Sequence, residues 1–330
     1  MKKKFMLILA VLLAFVSLTF TGCGKEEIVI YTSIEDYTME FLQESLEKEL
    51  PDCKIVVEYM STSNIAAKII QEGENSDCDI VFAEAYGYID KMMQAGALAD
   101  IHEFYDYNVY IDSAVKTPAK NYMLPALMQG GGIIVNNAVL TQKGLEKPTK
   151  YSDLLSEDFR GLVSMPSPKS SGTGYMFYLS IINEMGEEAG LKYFEDLTPN
   201  ILQYTSSGST PVNSLVYREV AVGFGMIGHA AEKISQGNTD LEIIFFEEGA
   251  PYEFYGNCIV KGKEKRENVK KAMDYLYNTF TDECCAKYNP EPVLKNKTYE
   301  VANFPKNIEY SDMSNNTLER KEELLKKWKY

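Results

Sequence analysis

Two doubly wound α/β lobes joined by a two-crossing hinge are what this sequence predicts, on three observations. Short β-branched runs alternate with amphipathic helices from residue 27 onward, the same alternation starts afresh near residue 130, and a last strand-like run at 253–262 is followed by too little chain for a third unit. Strands alternating with helices specify a parallel sheet covered on both faces. The boundaries expected are 28–128 plus 251–330 for the first lobe and 129–250 for the second, with crossings near 125–132 and 247–254.

In the first lobe, EIVIYTS (27–33) is a strand and IEDYTMEFLQESLEKEL carries apolar residues at helical spacing. KIVVEYM and NIAAKIIQEG repeat the pair, and CDIVFAEA with YGYIDKMMQAGALADI repeats it again. In the second, GGGIIVNN is a strand, KYSDLLSEDFRG a short helix and turn, LVSMPSP a strand, and GYMFYLSIINEMGEEAGLKYFEDL a long helical region. ILQYTSSGST, PVNSLVYREV, AVGFGMIGHAAEKISQG and LEIIFFEEGAP continue the alternation. The 263–289 segment reads as an amphipathic helical pair. In the C-terminal segment Leu318, Leu324, Leu325 and Trp328 fall roughly on one helical face.

The chain opens with three lysines, an apolar run from Phe5 to Phe20 and Thr21-Gly22-Cys23. That order is a secretory signal peptide over residues 1–22. Its end resembles a bacterial lipobox, with Phe20 where that pattern usually has leucine. The resemblance implies diacylation of Cys23, a tether over 23–27, and an exported chain held on the cell-surface or periplasmic face of the cytoplasmic membrane. Export removes three lysines and moves the formal charge from −15 to −18. With no basic stripe to displace phosphate counterions, nucleic acid is excluded as a partner. An anionic small ligand is not, because a nest of backbone N–H groups binds anions inside an acidic protein. Cys53, Cys78, Cys258, Cys284 and Cys285 remain; their spacing specifies neither a metal clip nor a disulfide pairing.

Ligands of open α/β sheets sit beyond the carboxyl ends of strands, and four such ends carry hydroxyl residues. In MPSPKSSGTGY (165–175), Pro166 and Pro168 delay the helix, Ser170, Ser171 and Thr173 supply hydroxyls, and Gly172 and Gly174 permit close backbone approach before Tyr175. A helix starting there offers unpaired N–H groups and a positive dipole end, although serine and threonine favour such caps without any ligand. Ser207, Gly208 and Ser209 repeat the pattern in YTSSGSTP, Thr32 and Ser33 in YTSIED, and Ser63 and Asn64 in YMSTSN. Further candidates are Glu84, which could pair with a ligand cation, and Gln129 beside Gly130-Gly131-Gly132 at the first crossing. His229 faces the cleft or caps its own turn. Glu247 and Glu248 suit a hinge, and Tyr31, Tyr86, Tyr88, Tyr175 and Tyr204 are available as cleft walls. No catalytic elbow or zinc motif is present, and the two histidines are too few for a usual zinc site, so neither an enzyme nor a cofactor is expected.

The exported cysteine, IVIYTS, GGGIIVNN, SPKSSGTGY and VGFGMIGHAAEKISQG together resemble the solute-binding lipoproteins of ABC importers. The nearest group is the type 2 periplasmic-binding fold of the ferric-ion carriers and their relatives for phosphorylated sugars and aminoethylphosphonate. In the ferric branch two tyrosines follow the histidine at the position of His229; here Ala230-Ala231 stand there. The resemblance thus implies a monomeric receptor that closes on a small organic phosphate or phosphonate and delivers it to a permease. An iron(III) or polyamine receptor is the alternative, and an exported phosphate-ester hydrolase a further one.

Overall fold

Residues 25–330 are described by the computed structural model; the expected signal peptide and the acylated Cys23 lie outside the described residues. Strands β1 (Glu26–Thr32), β2 (Cys53–Tyr59) and β3 (Ile80–Ala85) alternate with helices α1 (Asp36–Glu49), α2 (Thr62–Glu72) and α3 (Tyr86–Gln94). The strands pair in parallel, β2 with β1 and β1 with β3, because each helix returns the chain to the same end of the sheet. The second set is β5 (Val163–Pro166), β6 (Ile201–Thr205) and β7 (Val222–Met226). Around it lie α4 (Asn137–Lys143), α5 (Gly172–Met185), α6 (Glu187–Leu197), α7 (Thr210–Val216) and α8 (Ile227–Ser235). Here too β5 is parallel to β6 and β7.

One strand, β4 (Leu124–Asn136), belongs to both sets. Its first half pairs antiparallel with β9 (Tyr252–Ile259), and its second half with β7 and β8 (Leu241–Ile244). The first crossing is therefore a continuous strand, beginning six residues before GGGIIVNN. Pro125 is accommodated at an irregularity of the β4–β9 pairing, where a missing N–H does least harm. The glycines of this strand serve close packing. A Cβ on Gly131 would lie 2.7 Å from the Phe177 ring, and one on Gly130 2.9 Å from Ile227. Helix α5 is buried on every side from Gly172 to Ile182, as an all-apolar central helix must be.

Two local expectations change. KYSDLLSEDFRG forms two short 3₁₀ turns, Tyr151–Leu155 and Glu157–Phe159. The 263–289 segment runs from α9 (Glu267–Tyr275) through a π-helical turn (Leu276–Phe280) into α10 (Thr281–Tyr288) without a loop. The last helix, α11 (Leu318–Lys327), was expected with the first lobe. It contacts α3, but its end lies on the second set, where Trp328 packs edge-on against Tyr178, Phe194 and Tyr204 at 5.0–5.4 Å between centroids. The five described cysteines are buried and free. Among the described residues no helix is long and apolar enough to cross a membrane.

Candidate functional site

The four hydroxyl-bearing strand ends meet around one space. Ser33 and Glu35 reach it from the start of α1, Ser61 and Thr62 from the start of α2, Ser171–Thr173 from the start of α5, and Ser206, Gly208 and Ser209 from the turn before α7. Gln129 of β4 and Tyr255 of β9 complete it beside the crossings. Among the described residues no lysine or arginine lines it. Residues at the N-terminal ends of four helices instead border one volume, and a helix N-terminus carries roughly half a positive charge.

Local sterics fix the two loops of the second set. Ser171 caps α5 by accepting from the Gly174 amide at 3.4 Å. A Cβ on Gly174 would sit 2.4 Å from the Pro166 carbonyl oxygen, and one on Gly208 2.3 Å from Thr173 Oγ1. Glycine at both places lets the S-S-G-T-G loop fold onto its strand and the two loops touch. Across the cleft, Tyr59 OH donates to Ser207 Oγ at 2.6 Å, the Gly172 amide to Thr62 Oγ1 at 3.1 Å, and Ser63 Oγ to the Ser170 carbonyl at 3.2 Å. The lobes are drawn together.

Among the residues expected from sequence, Ser33, Gln129, Ser171, Gly172, Thr173, Gly208 and Ser209 therefore line the space. Ser207 lies between Tyr59 and Ser209, its hydroxyl 2.9 Å from that of Ser209. Thr32 Oγ1 is taken by the Ile34 amide, Ser63 and Ser170 join the lobes, and the backbone N–H of Asn64 is held within the first turn of α2. Glu84 is a correction. It is fully buried and lines no part of this space, because the β3–β9 register shifts between Val81 and Glu84 and Ala83 adopts φ +49°. Such a bulge changes which way the following side chain faces. Tyr175, fully buried one turn into α5, is a second correction. Sequence reasoning missed Glu35, Tyr59, Ser61, Thr62 and Ser206. Of these, Ser61, Thr62 and Ser206 were visible as the immediate neighbours of the residues chosen.

His229 belongs to an adjoining chamber that shares Glu35, Gln129 and Met226 with the first. Tyr37, Tyr288 and Phe304 supply aromatic walls, the Tyr37 and Tyr288 rings lying 4.7 Å apart. His229 is 3% exposed and its Nδ1 has no partner among the described residues. Burial, seconded by Lys233, pushes its pKa down to about 3, so it is neutral at physiological pH. Burial raises Glu35 to about 7. The site thus joins a hydroxyl- and amide-rich end to an aromatic end, with a poised carboxyl where they meet.

Residues 78–320 match the model of a bacterial extracellular solute-binding protein family. The chain belongs to that family. Structures of type 2 periplasmic binding proteins superpose on it. The periplasmic binding protein P5PA does so with TM-score 0.80 at 22% identity, over 92% of this chain and 98% of its own. AfuA from Actinobacillus pleuropneumoniae, solved with fructose-6-phosphate bound, gives 0.79 at 26% over the same shares. The apo ferric ion-binding protein A of Pasteurella haemolytica gives 0.69 at 19%, over 92% and 96%. An uncharacterized protein of Haemophilus influenzae is 27% identical over 97% of this chain and 94% of its own. As an extracellular solute-binding protein of the ABC-transporter type, the chain takes a small ligand and presents it to permease subunits.

Proposed function

We propose that this solute-binding protein captures a small organic phosphate or phosphonate between its lobes, tethered to the membrane through acylated Cys23, as a monomer without enzymatic activity or cofactor. The observation that carries the reading is that the N-terminal ends of four helices border a space lined, among the described residues, by no lysine or arginine. Amides and hydroxyls so arranged suit a phosphoryl group. Each neutral hydrogen bond contributes about 0.5–1.5 kcal/mol and each charge-assisted one about 1.5–3 kcal/mol, so several acting together give useful affinity. The fructose-6-phosphate bound to AfuA is in keeping with an anionic head and a larger body. In this chain the body would enter the aromatic chamber, with Glu35 and His229 reading its polar groups. Ala230 and Ala231 are buried and offer no oxygen to iron.

Calorimetry with inorganic phosphate, fructose 6-phosphate, aminoethylphosphonate, iron(III) and spermidine tests this. Binding of at least one phosphoryl compound, abolished by Ser171→Asp or Thr173→Asp, is expected. Binding of a cation alone would overturn the proposal, and turnover of a phosphate ester would replace it with a hydrolase.

A further inference from the structure

Behind the anion loop the protein buries a lysine that the ligand-binding reading does not use. Lys321 of α11 is 2% exposed, and its Nζ lies 3.5 Å from the Tyr88 ring centroid and 4.5 Å from that of Tyr175. Its stem runs close beside α3, where a Cβ on Gly87 would lie in ordinary contact, 3.4 Å from Lys321 Cδ. Glu84 and Glu253 are the carboxyls whose charges act on this ammonium. One Glu84 oxygen accepts from the Ala85 amide at 3.0 Å, and one Glu253 oxygen from Asn316 at 3.3 Å. Their other oxygens, both tyrosine hydroxyls and the ammonium itself have no hydrogen-bond partner among the described residues. The position of Glu84 is specified by the backbone, because the left-handed Ala83 before it is held by its amide donating to Asn257 Oδ1 at 2.9 Å. Burial raises both carboxyls above their ordinary range and lowers Lys321 to about 8, each shift opposed by the neighbouring charge.

The box is shared between the lobes. Glu84, Tyr88 and Glu253 stand on β3, α3 and β9, with the first set of strands, and Tyr175 on α5, with the second. The helix that carries Lys321 is fastened to the second set: Tyr178 OH donates to the Leu324 carbonyl at 3.1 Å, and Arg320 and Lys327 both reach Glu187, at 2.9 and 2.6 Å. Separation of the lobes would draw this helix from the first-lobe carboxyls or leave it stretched between them.

We propose that Lys321 is an interlobe latch, a buried cation delivered by a helix anchored on the second lobe into an acidic and aromatic box of the first, which favours the closed state without touching the ligand. The proposal rests on capture of the ligand between the lobes. It is tested with Lys321→Met, which keeps the length and apolar stem. The expected result is a protein of native circular dichroism whose radius of gyration without ligand exceeds that of wild type, and whose Kd for inorganic phosphate is raised roughly ten-fold. Should Lys321→Met not fold, the neutral box of Lys321→Met with Glu84→Gln and Glu253→Gln is read in the same way. An unchanged radius and affinity, with only a lower melting temperature, would make Lys321 a core residue and overturn the latch. If wild type binds none of the phosphoryl compounds, the ligand reading fails separately, and if it binds another of them but not inorganic phosphate that reading stands; in both cases the scattering comparison alone decides the latch, a larger radius in the variant supporting it and an equal one overturning it.

Discussion

Gly208→Ala isolates the contact between the two serine-rich loops of the second set. Its φ is not positive, so alanine is compatible with the backbone and the perturbation is steric. The added methyl would lie 2.3 Å from Thr173 Oγ1, 3.1 Å from Thr173 Cβ and 3.2 Å from Ser171 Oγ, where an ordinary contact starts at 3.4 Å. Either the loops part by about 1 Å or Thr173 turns its hydroxyl out of the cleft. Losing that hydroxyl from an anionic ligand costs about 1.5–3 kcal/mol, a rise in Kd of roughly ten- to a hundred-fold. The position is half-buried, so the melting temperature should change little. Calorimetry of Gly208→Ala, Thr173→Ala and the double variant against one phosphoryl ligand measures the coupling. In the Thr173→Ala background the atom at 2.3 Å is gone, and the glycine substitution should cost no more than about a few-fold in Kd. If Gly208→Ala weakens binding by the same factor in both backgrounds, the loops do not meet as described and the steric reasoning fails.

Gly174→Ala meets backbone that cannot turn aside, the Pro166 carbonyl at 2.4 Å and Ser167 at 2.7 Å; a loss of about 1–3 kcal/mol in chemical denaturation is expected, and unaltered stability would refute the packing. Glu35 contributes a defined pH dependence. Raised to about 7 from 4.5 by burial, it keeps in the folded protein a proton that the unfolded chain releases near 4.5, so stability falls as pH rises between those values. Glu35→Gln should flatten that part of the denaturation profile, and parallel profiles for the two proteins would count against a buried Glu35. His229→Leu should leave inorganic phosphate affinity within about two-fold while weakening fructose 6-phosphate by roughly five-fold or more; equal effects on both ligands would remove the aromatic chamber from the site.

The elements were legible because strand and helix periods differ, and the four hydroxyl-rich strand ends were legible because serine, threonine and glycine accumulate where backbone amides are left free. Less legible was which residues of each end face the cleft. At the start of α2 the cap Ser61 and the first helical residue Thr62 line the space, while the Ser63 hydroxyl is taken by the Ser170 carbonyl and the Asn64 amide by the Ser61 carbonyl. Glu84 was misplaced because the left-handed residue before it is an alanine, and IVFAEA carries no glycine or asparagine to announce a bulge. The aromatic chamber draws Tyr37, Tyr288 and Phe304 from three distant segments, and no local pattern marks them. The contacts of the last helix with the second lobe depend on Trp328 meeting Tyr178, Phe194 and Tyr204. Its periodicity gives an apolar face but not the surface that face covers.

A site built from dipoles also bears on release. A fixed lysine or arginine would hold an anion on one lobe whether or not the cleft is closed. Here two helix N-termini come from each lobe, so opening removes half of the donors and about half of an effective charge near +2. Water then replaces the departing amides at a dielectric where what remains of the attraction is small. If the ligand is the proposed phosphoryl compound, its affinity would be concentrated in the closed state, and a permease that separates the lobes would free it by supplying the free energy of closure. On the proposed reading the net negative charge, −18 once the expected signal peptide is removed, would work in the same direction, since beyond the cleft the surface would repel a departing anion.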